Sequence, residues 1–404
     1  MSANLPHKQI LSRLFQVSLE AVNGRSVVES KLSDMEFGSK VAIVAIGKAA
    51  AAMMAGANNA LKKKIYSALI ITKKGHALHS LDWPCIESGH PVPDDKSLEA
   101  GDALVKFLKS VPANIEVIAL ISGGASALVE VLPGQISLEA LQKINNWLLA
   151  SGLPIDEINR VRQAISLIKG GKGLAHLKQK KMTQLLISDV KLDSPEIIGS
   201  GIFASQDECL NQLNTAKLPG WMQNYIQEQP IPAQVDVDTH IVASNEMACQ
   251  AIIKQAEDTP YDVNYHGQTL YGDVYERAGS LVEELLSAKP GIHLWGGETT
   301  LRLPVNPGRG GRNQSFALAL ACLLENQPGI TVLVGATDGS DGPTDDAGAI
   351  IDGLTLQRAS PLRAKDYLAA ADAGTFLAEA GDLISTGPTG TNVMDIVIAI
   401  KEPD

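Results

Sequence analysis

Short apolar runs, each followed by a glycine-rich or polar turn and then a helical pattern, recur along the whole chain. The runs lie at 41–46, 68–71, 117–121, 184–187 and 240–243, then at 292–295, 331–334 and 395–400. They are rich in Val and Ile and apolar on both faces, which predicts buried strands of a parallel or mixed sheet. Helical patterns between them predict an α/β fold rather than a sandwich. Over 155–169, Ile155, Ile158, Val161, Ile165 and Ile168 form one apolar stripe, and Asn159, Arg162, Ser166 and Lys169 form a second. This spacing predicts a single helix with a solvated polar face, stopped by Gly170 and Gly171. The segment 218–238 is Pro- and Gln-rich with weak periodicity, which marks a boundary or a crossover. Placing a boundary there divides the chain into domains 1–235 and 236–404, in keeping with ordinary domain sizes.

Composition narrows the partners. The chain carries 34 Lys plus Arg against 45 Asp plus Glu, a net charge of −11. An acidic surface repels a phosphate backbone, so nucleic acid is not an expected partner. Cys85, Cys209, Cys249 and Cys322 are scattered without a C-x-x-C pair, which points to a reducing, cytoplasmic setting. No apolar run approaches the ~20 residues of a membrane span, and no membrane association is expected. A small-molecule substrate is the expected partner, and the composition is compatible with a homo-oligomer.

The candidate chemistry sits where the strands end, since ligands of open α/β sheets bind beyond the carboxyl ends of the strands. Those turns contain Gly47-Lys48-Ala49, Ser122-Gly123-Gly124-Ala125-Ser126, Ser188-Asp189 with Asp193 nearby, Gly296-Gly297-Glu298 and Thr337-Asp338-Gly339-Ser340-Asp341. A purely structural turn needs no charge, so the series predicts one polar crevice. Gly47-Lys48-Ala49 lacks the spacing of a P-loop. Residues 199–204 fit G-x-G-x-x-A but follow no convincing strand, and Ser126 lacks the last glycine of a nucleophile elbow. His76, His79 and His90 have no spacing that suits zinc. The acidic loop with Asp338, Asp341, Asp345 and Asp346 suits a magnesium-phosphate site or a general base. Gly308-Arg309-Gly310-Gly311-Arg312-Asn313-Gln314 opens a helix, and its amides and guanidinium predict an anion site.

Taken in order, these motifs resemble the class II glycerate 2-kinases, whose C-terminal half is the MOFRL domain. The likeness spans 46–49, 87–94 (ESGHPVPD), 122–127, 157–171, 188–190, 296–300, 308–314, 337–348 (TDGSDGPTDDAG) and 385–395 (STGPTGTNVMD). Four positions depart from the family pattern: Ala125 and Leu192 where glycine is usual, Ile202 in place of a proline, and Ser315 in place of a glutamate. The resemblance implies a Rossmann-like N-terminal domain with a mostly parallel sheet, a smaller C-terminal α/β domain, and an active site in the cleft between them. It also implies transfer of phosphate from ATP, with Mg²⁺, to the 2-hydroxyl of D-glycerate. Carried onto this sequence, it makes Lys48, Asp189, Arg312 and Asp338 the catalytic groups. Lys48 and Arg312 would neutralise charge, and one of the two aspartates would position or deprotonate the hydroxyl. Ser122, Gly123, Gly124, Ser126, Gly297, Glu298, Gly310, Gly311 and Asn313 would contact the nucleotide; Asp193, Glu298 and Asp341 would hold the metal. Two other readings remain open, an NAD(P)H-dependent hydroxypyruvate reductase and a non-catalytic binder of sugar acids. The first would need a dinucleotide fingerprint on the first strand–helix turn, where Gly47-Lys48-Ala49 stands.

Overall fold

A computed structural model describes residues 5–151, 153, 155–179, 181–204, 215–226 and 235–403. Cys209 lies outside the described residues; Cys85, Cys249 and Cys322 are free thiols. Internal contacts divide the chain into two units, one of Gly24–Ala243 and one that joins Met1–Asn23 to Ser244–Asp404.

The first unit is built on a six-stranded sheet of order β3-β2-β1-β4-β5-β6. Its strands are β1 (Val41–Ile46), β2 (Ile65–Lys73), β3 (Cys85–Ser88), β4 (Glu116–Ile121), β5 (Lys181–Ile187) and β6 (Asp236–Ala243). Every pairing is parallel. This is the doubly wound Rossmann order, and its direction reverses between β1 and β4, where such sheets bind ligands. Every side chain of β1 is buried, as a strand covered by helices on both faces requires.

The second unit carries a mixed sheet of order β11-β10-β9-β12-β8-β7. Its strands are β7 (Val263–Leu270), β8 (Gly291–Gly297), β9 (Ile330–Ala336), β10 (Gly348–Asp352), β11 (Leu383–Ile384) and β12 (Asp395–Lys401). β7 and β8 are parallel, and the other neighbours are antiparallel. Because β12 runs against both β8 and β9, Asp395 pairs with Gly297 on one side and Ala336 on the other. One edge of the sheet therefore gathers the ends of β8 and β9 and the start of β12.

These units depart from a division at 235/236 at two points. β6 pairs along its length with β5, so it completes the first sheet, and the segment before it is a crossover rather than a boundary. The N-terminal helix Leu5–Ala21 belongs to the second unit, burying Leu11, Leu14, Phe15 and Leu19. A Cβ on Gly335 of β9 would stand 2.6 Å from the Phe15 ring, so glycine there lets the helix lie on the sheet. Lys8 on the same helix reaches Asp382 at 2.7 Å.

The helix predicted over 155–169 stops at Ala164, and its polar stripe is not solvated. Asn159, Ser166 and Lys169 are all buried. The Ser166 hydroxyl donates to Glu130 at 2.5 Å, and the Lys169 ammonium pairs with the other oxygen of that buried carboxylate. The helix ends before Ser166 and Lys169, and what meets those two is a carboxylate from the segment after the short helix Ala125–Leu128. No described helix is long and apolar enough to cross a membrane.

Candidate functional site

At the β1/β4 reversal, two turns are sewn together. Gly47 has φ of 132°, and a Cβ there would fall 2.1 Å from Ser122 Oγ. The Lys48 N–H donates to the Gly123 carbonyl at 2.9 Å, and the Ala49 N–H donates to Ser122 Oγ at 3.0 Å. The Ser122 N–H donates in turn to the Ile46 carbonyl at 3.0 Å. Ser122, expected to cradle phosphate, is thus fully buried and works as the tie between the turns. Lys48 is half-buried beside Gly124, whose φ of 84° only glycine adopts easily. A Cβ on Gly124 would stand 3.2 Å from Lys48 Cγ and 3.0 Å from the His90 ring. His76 lies on the other flank, its Nδ1 3.2 Å from the Lys48 carbonyl oxygen. Both histidines were weighed in the sequence only as zinc ligands; the packing around Lys48 brings them to it. The helix after Gly124 is only Ala125–Leu128, too short to build the dipole expected to attract an anion.

Asp189 follows β5 at the same edge of the sheet and is half-buried. Asp193 stands on a tight turn with φ of 52°, and its Oδ1 is buried without a hydrogen-bond partner among the described residues. Leu192, where the family pattern has glycine, adopts φ of 65° with its side chain in solvent. That backbone conformation explains the glycine preference, since a leucine there is strained.

In the second unit, the helix start read as an anion site meets an acidic side chain of the chain itself. The N-terminus of the helix Arg312–Leu323 is already occupied by a carboxylate of the chain itself. Asp341 Oδ1 accepts from the Asn313 N–H at 3.0 Å, and Oδ2 accepts from the Gln314 N–H at 2.8 Å. Gly311 is required by this contact, because a Cβ there would stand 2.3 Å from Asp341 Oδ1. Gly310 packs at φ of 135° against the backbone of Gly374. Gly311 and Asn313 thus form part of the cap that Asp341 closes, and Gly310 packs beside it. The physical reason is proximity. A positive helix end takes the nearest carboxylate, and the acidic loop supplies one. Arg309 is likewise paired, with Asp346 at 2.7 Å.

Arg312 is held by two carboxylates. Its Nε donates to Asp395 Oδ2 at 2.7 Å and its Nη2 to Asp395 Oδ1 at 3.1 Å, the bidentate fork of guanidinium and carboxylate. Its Nη1 lies 2.5 Å from Glu298 Oε1. Burial disfavours the charge, but Asp395 and Glu298 outweigh it and hold Arg312 firmly protonated. Asp395, read in the sequence as the first residue of the last strand and the end of the 385–395 motif, was assigned no role there; the structure makes it the partner of Arg312. Gly297, the last residue of β8, precedes Glu298 with φ of 130°, and a Cβ there would stand 2.9 Å from the Leu270 carbonyl oxygen. Asp338 is half-buried, and its Oδ1 accepts from the Ser340 N–H at 3.1 Å. The loop is clamped from the side by Gly339, where a Cβ would fall 2.1 Å from the Gly387 carbonyl oxygen.

Burial pushes the Asp341 carboxyl up to about 6, against the two backbone N–H groups that favour its charge. A folded-state value above the ordinary one means the native protein binds the proton more tightly. Stability from this group is therefore greatest below pH ~4 and is lost as pH rises through ~6. Relative to Asp341→Asn, the melting temperature of the unaltered protein should fall between pH 4 and 6 and run parallel above it. A constant offset across that range would remove this carboxyl as the titrating group.

Two family profiles match the chain, the domain of unknown function DUF4147 over residues 10–228 and the MOFRL family over 291–395. The D-glycerate 2-kinase of Thermotoga maritima is 32% identical, over 97% of this chain and 98% of its own. The glycerate 2-kinase of Pyrococcus horikoshii is 33% identical, over 98% and 93% respectively. The chain belongs to the class II glycerate 2-kinase (MOFRL) family. Among solved structures, the crystal structure of the T. maritima glycerate kinase superposes with a TM-score of 0.83 at 30% identity, covering 98% of this chain and all of that one. A relative of Agrobacterium vitis, 33% identical over 96% of this chain and 93% of its own, carries the name putative hydroxypyruvate reductase.

Proposed function

We propose that the chain transfers the terminal phosphoryl group of ATP to the 2-hydroxyl of D-glycerate, giving 2-phosphoglycerate and ADP. The observation that carries this reading is Lys48 at the reversal point of the parallel sheet, in a chain that matches glycerate 2-kinases over almost its full length. Phosphoryl transfer asks a protein mainly for positioning and charge stabilisation. Lys48 supplies the charge opposite the transferring group. Asp189, at the neighbouring strand end, positions the 2-hydroxyl and takes its proton. From the second unit, Arg312 and Asp338 are assigned to the same reaction, Arg312 with its orientation set by Asp395 and Glu298.

Mg²⁺, when bound, would shield the phosphate charge. Among the described residues no three His, Cys, Asp or Glu side chains converge on one point. The residues present suit the usual magnesium arrangement, in which one or two carboxylates share the ion with substrate phosphates and water. Asp193, with its unpartnered oxygen, is the candidate ligand, while Glu298 is taken up by Arg312.

The hydroxypyruvate reductase reading is disfavoured by the turn after β1. There Gly47 is filled against Ser122, and no G-x-G-x-x-G follows. The test is one coupled assay with ATP, Mg²⁺ and D-glycerate that also identifies the phosphorylated carbon. ADP release with phosphate on carbon 2 is expected, with negligible NADH oxidation by hydroxypyruvate. NADH turnover at enzyme-like rates without ADP release would reverse the assignment.

A further inference from the structure

A chain of three hydroxyl and amide groups runs inward from the turn beside Lys48. Ser126 Oγ lies 2.8 Å from Ser200 Oγ, and the Ser200 hydroxyl donates to Asn159 Oδ1 at 3.1 Å. Ser200 has one proton, and Asn159 receives it. The proton between the two serines must then come from Ser126. Ser126 is half-buried at the turn, whereas Ser200 and Asn159 are buried. Ser126 therefore offers lone pairs, and no proton, on its open side.

Considerable structure is committed to holding Ser200 in place. It sits at φ of 58°, a left-handed conformation that costs a non-glycine residue of order 1 kcal/mol. Its carbonyl accepts from the Gly170 N–H at 3.0 Å and from Gln163 Nε2 at 3.3 Å. The Gly171 N–H binds the next carbonyl, of Gly201. The loop that carries those glycines is itself anchored by Ser166 and Lys169 on the buried Glu130. The polar stripe of the 155–169 segment, unused by the reaction as described, is thus the support of Ser200.

A hydroxyl whose proton is committed elsewhere cannot donate to phosphate or to a carboxylate. It can accept a hydrogen bond, and it is too weak a base to remove a proton. It fits a substrate hydroxyl that keeps its proton throughout the reaction. In D-glycerate the 2-hydroxyl must lose its proton to be phosphorylated, and the 3-hydroxyl does not. We propose that Ser126, oriented by Ser200 and Asn159, accepts the hydrogen bond of the glycerate 3-hydroxyl and so selects glycerate over its 3-deoxy analogue, D-lactate. This rests on the glycerate 2-kinase reading. It makes Ser126 a substrate contact rather than part of a phosphate cradle, and Ser200 and Asn159 positioning residues.

The test compares steady-state kinetics of the unaltered protein, Ser126→Ala, Ser200→Ala and Asn159→Asp, with D-lactate as competitive inhibitor against D-glycerate. Ser126→Ala should raise the KM for D-glycerate about 10-fold, the worth of one hydrogen bond. It should leave the KM for ATP and the inhibition constant of D-lactate unchanged, so the preference for glycerate over lactate collapses. Ser200→Ala should move the same quantities in the same direction by a smaller factor, with the melting temperature checked alongside. Asn159→Asp keeps an acceptor opposite Ser200 and cannot reverse the chain of donors, so it should retain near-normal glycerate KM. Equal weakening of glycerate and lactate by Ser126→Ala, or a rise in the ATP KM, would overturn the proposal. So would an Asn159→Asp variant as impaired as Ser126→Ala. No ADP release by the unaltered protein with glycerate would instead remove the parent reading, and this contact with it.

Discussion

Lys48→Met should fold normally and lose about 10²–10³ in turnover, the usual cost of one charge-stabilising contact in such a site. The backbone of Lys48 does the structural work at this position, through its N–H to Gly123 and its carbonyl beside His76. Substitution of the side chain leaves both in place. Met matches the length and the apolar stem of Lys, so contact with Gly124 is kept while the ammonium is lost. The melting temperature should stay within a degree or two, and kcat should fall far more than the KM for glycerate rises. A variant with undiminished kcat would make Lys48 a bystander at the strand end and would require another cation for the transferring group.

Asp395→Asn should lower both stability and turnover. Asp395 is buried at the start of β12 and is the main partner of Arg312, which is about one-third exposed. Removing one member of a buried pair costs roughly 3–5 kcal/mol. Here water and Glu298 retain part of the compensation, so about 2 kcal/mol is expected, or roughly 4–8 °C in melting temperature for a unit of this size. Asn is isosteric and leaves no cavity, so the loss reads the charge and the fork rather than packing. Turnover should drop about 10-fold or more as the guanidinium loses its orientation. Arg312→Lys should behave similarly, because lysine cannot make the two parallel bonds that Asp395 accepts. The double pairing makes Arg312 a contributor to stability as well as to turnover. Differential scanning calorimetry and the coupled assay on both variants decide it, and a normal melting temperature for Asp395→Asn would mean that the fork is not what holds Arg312.

Much of the architecture was legible because it is written in local patterns. Every apolar run read as a strand falls within an observed strand, since a strand buried on both faces must be apolar throughout. The strands left unread are β3, β7, β10 and β11. β3, β7 and β11 lie at sheet edges, where one side of the ladder is open and the sequence need not be apolar. β7 carries Asn264, His266, Gly267 and Gln268 and is only half-buried over most of its length. β10 sits directly after the acidic loop, and the loop pattern concealed it.

What the sequence by itself determined was which residues share a face and which turns carry charge: the alternation of strand and helix, Lys48 and Asp189 at strand ends, the glycines around Arg312. What only the tertiary structure decided was what each charge meets. The arginine–glycine motif and the acidic loop each read as half of a ligand site, and folding turned them on one another, Asp341 capping the helix and Arg309 pairing with Asp346. The stripe from Asn159 to Lys169 read as solvated, and folding buried it against Glu130 and Ser200. Arg312 and Asp395 stand 83 residues apart and meet because β12 returns antiparallel between β8 and β9. Periodicity is a property of neighbours along the chain. Neutralisation depends on distance in space, over a few ångströms, and only the sheet topology sets that distance.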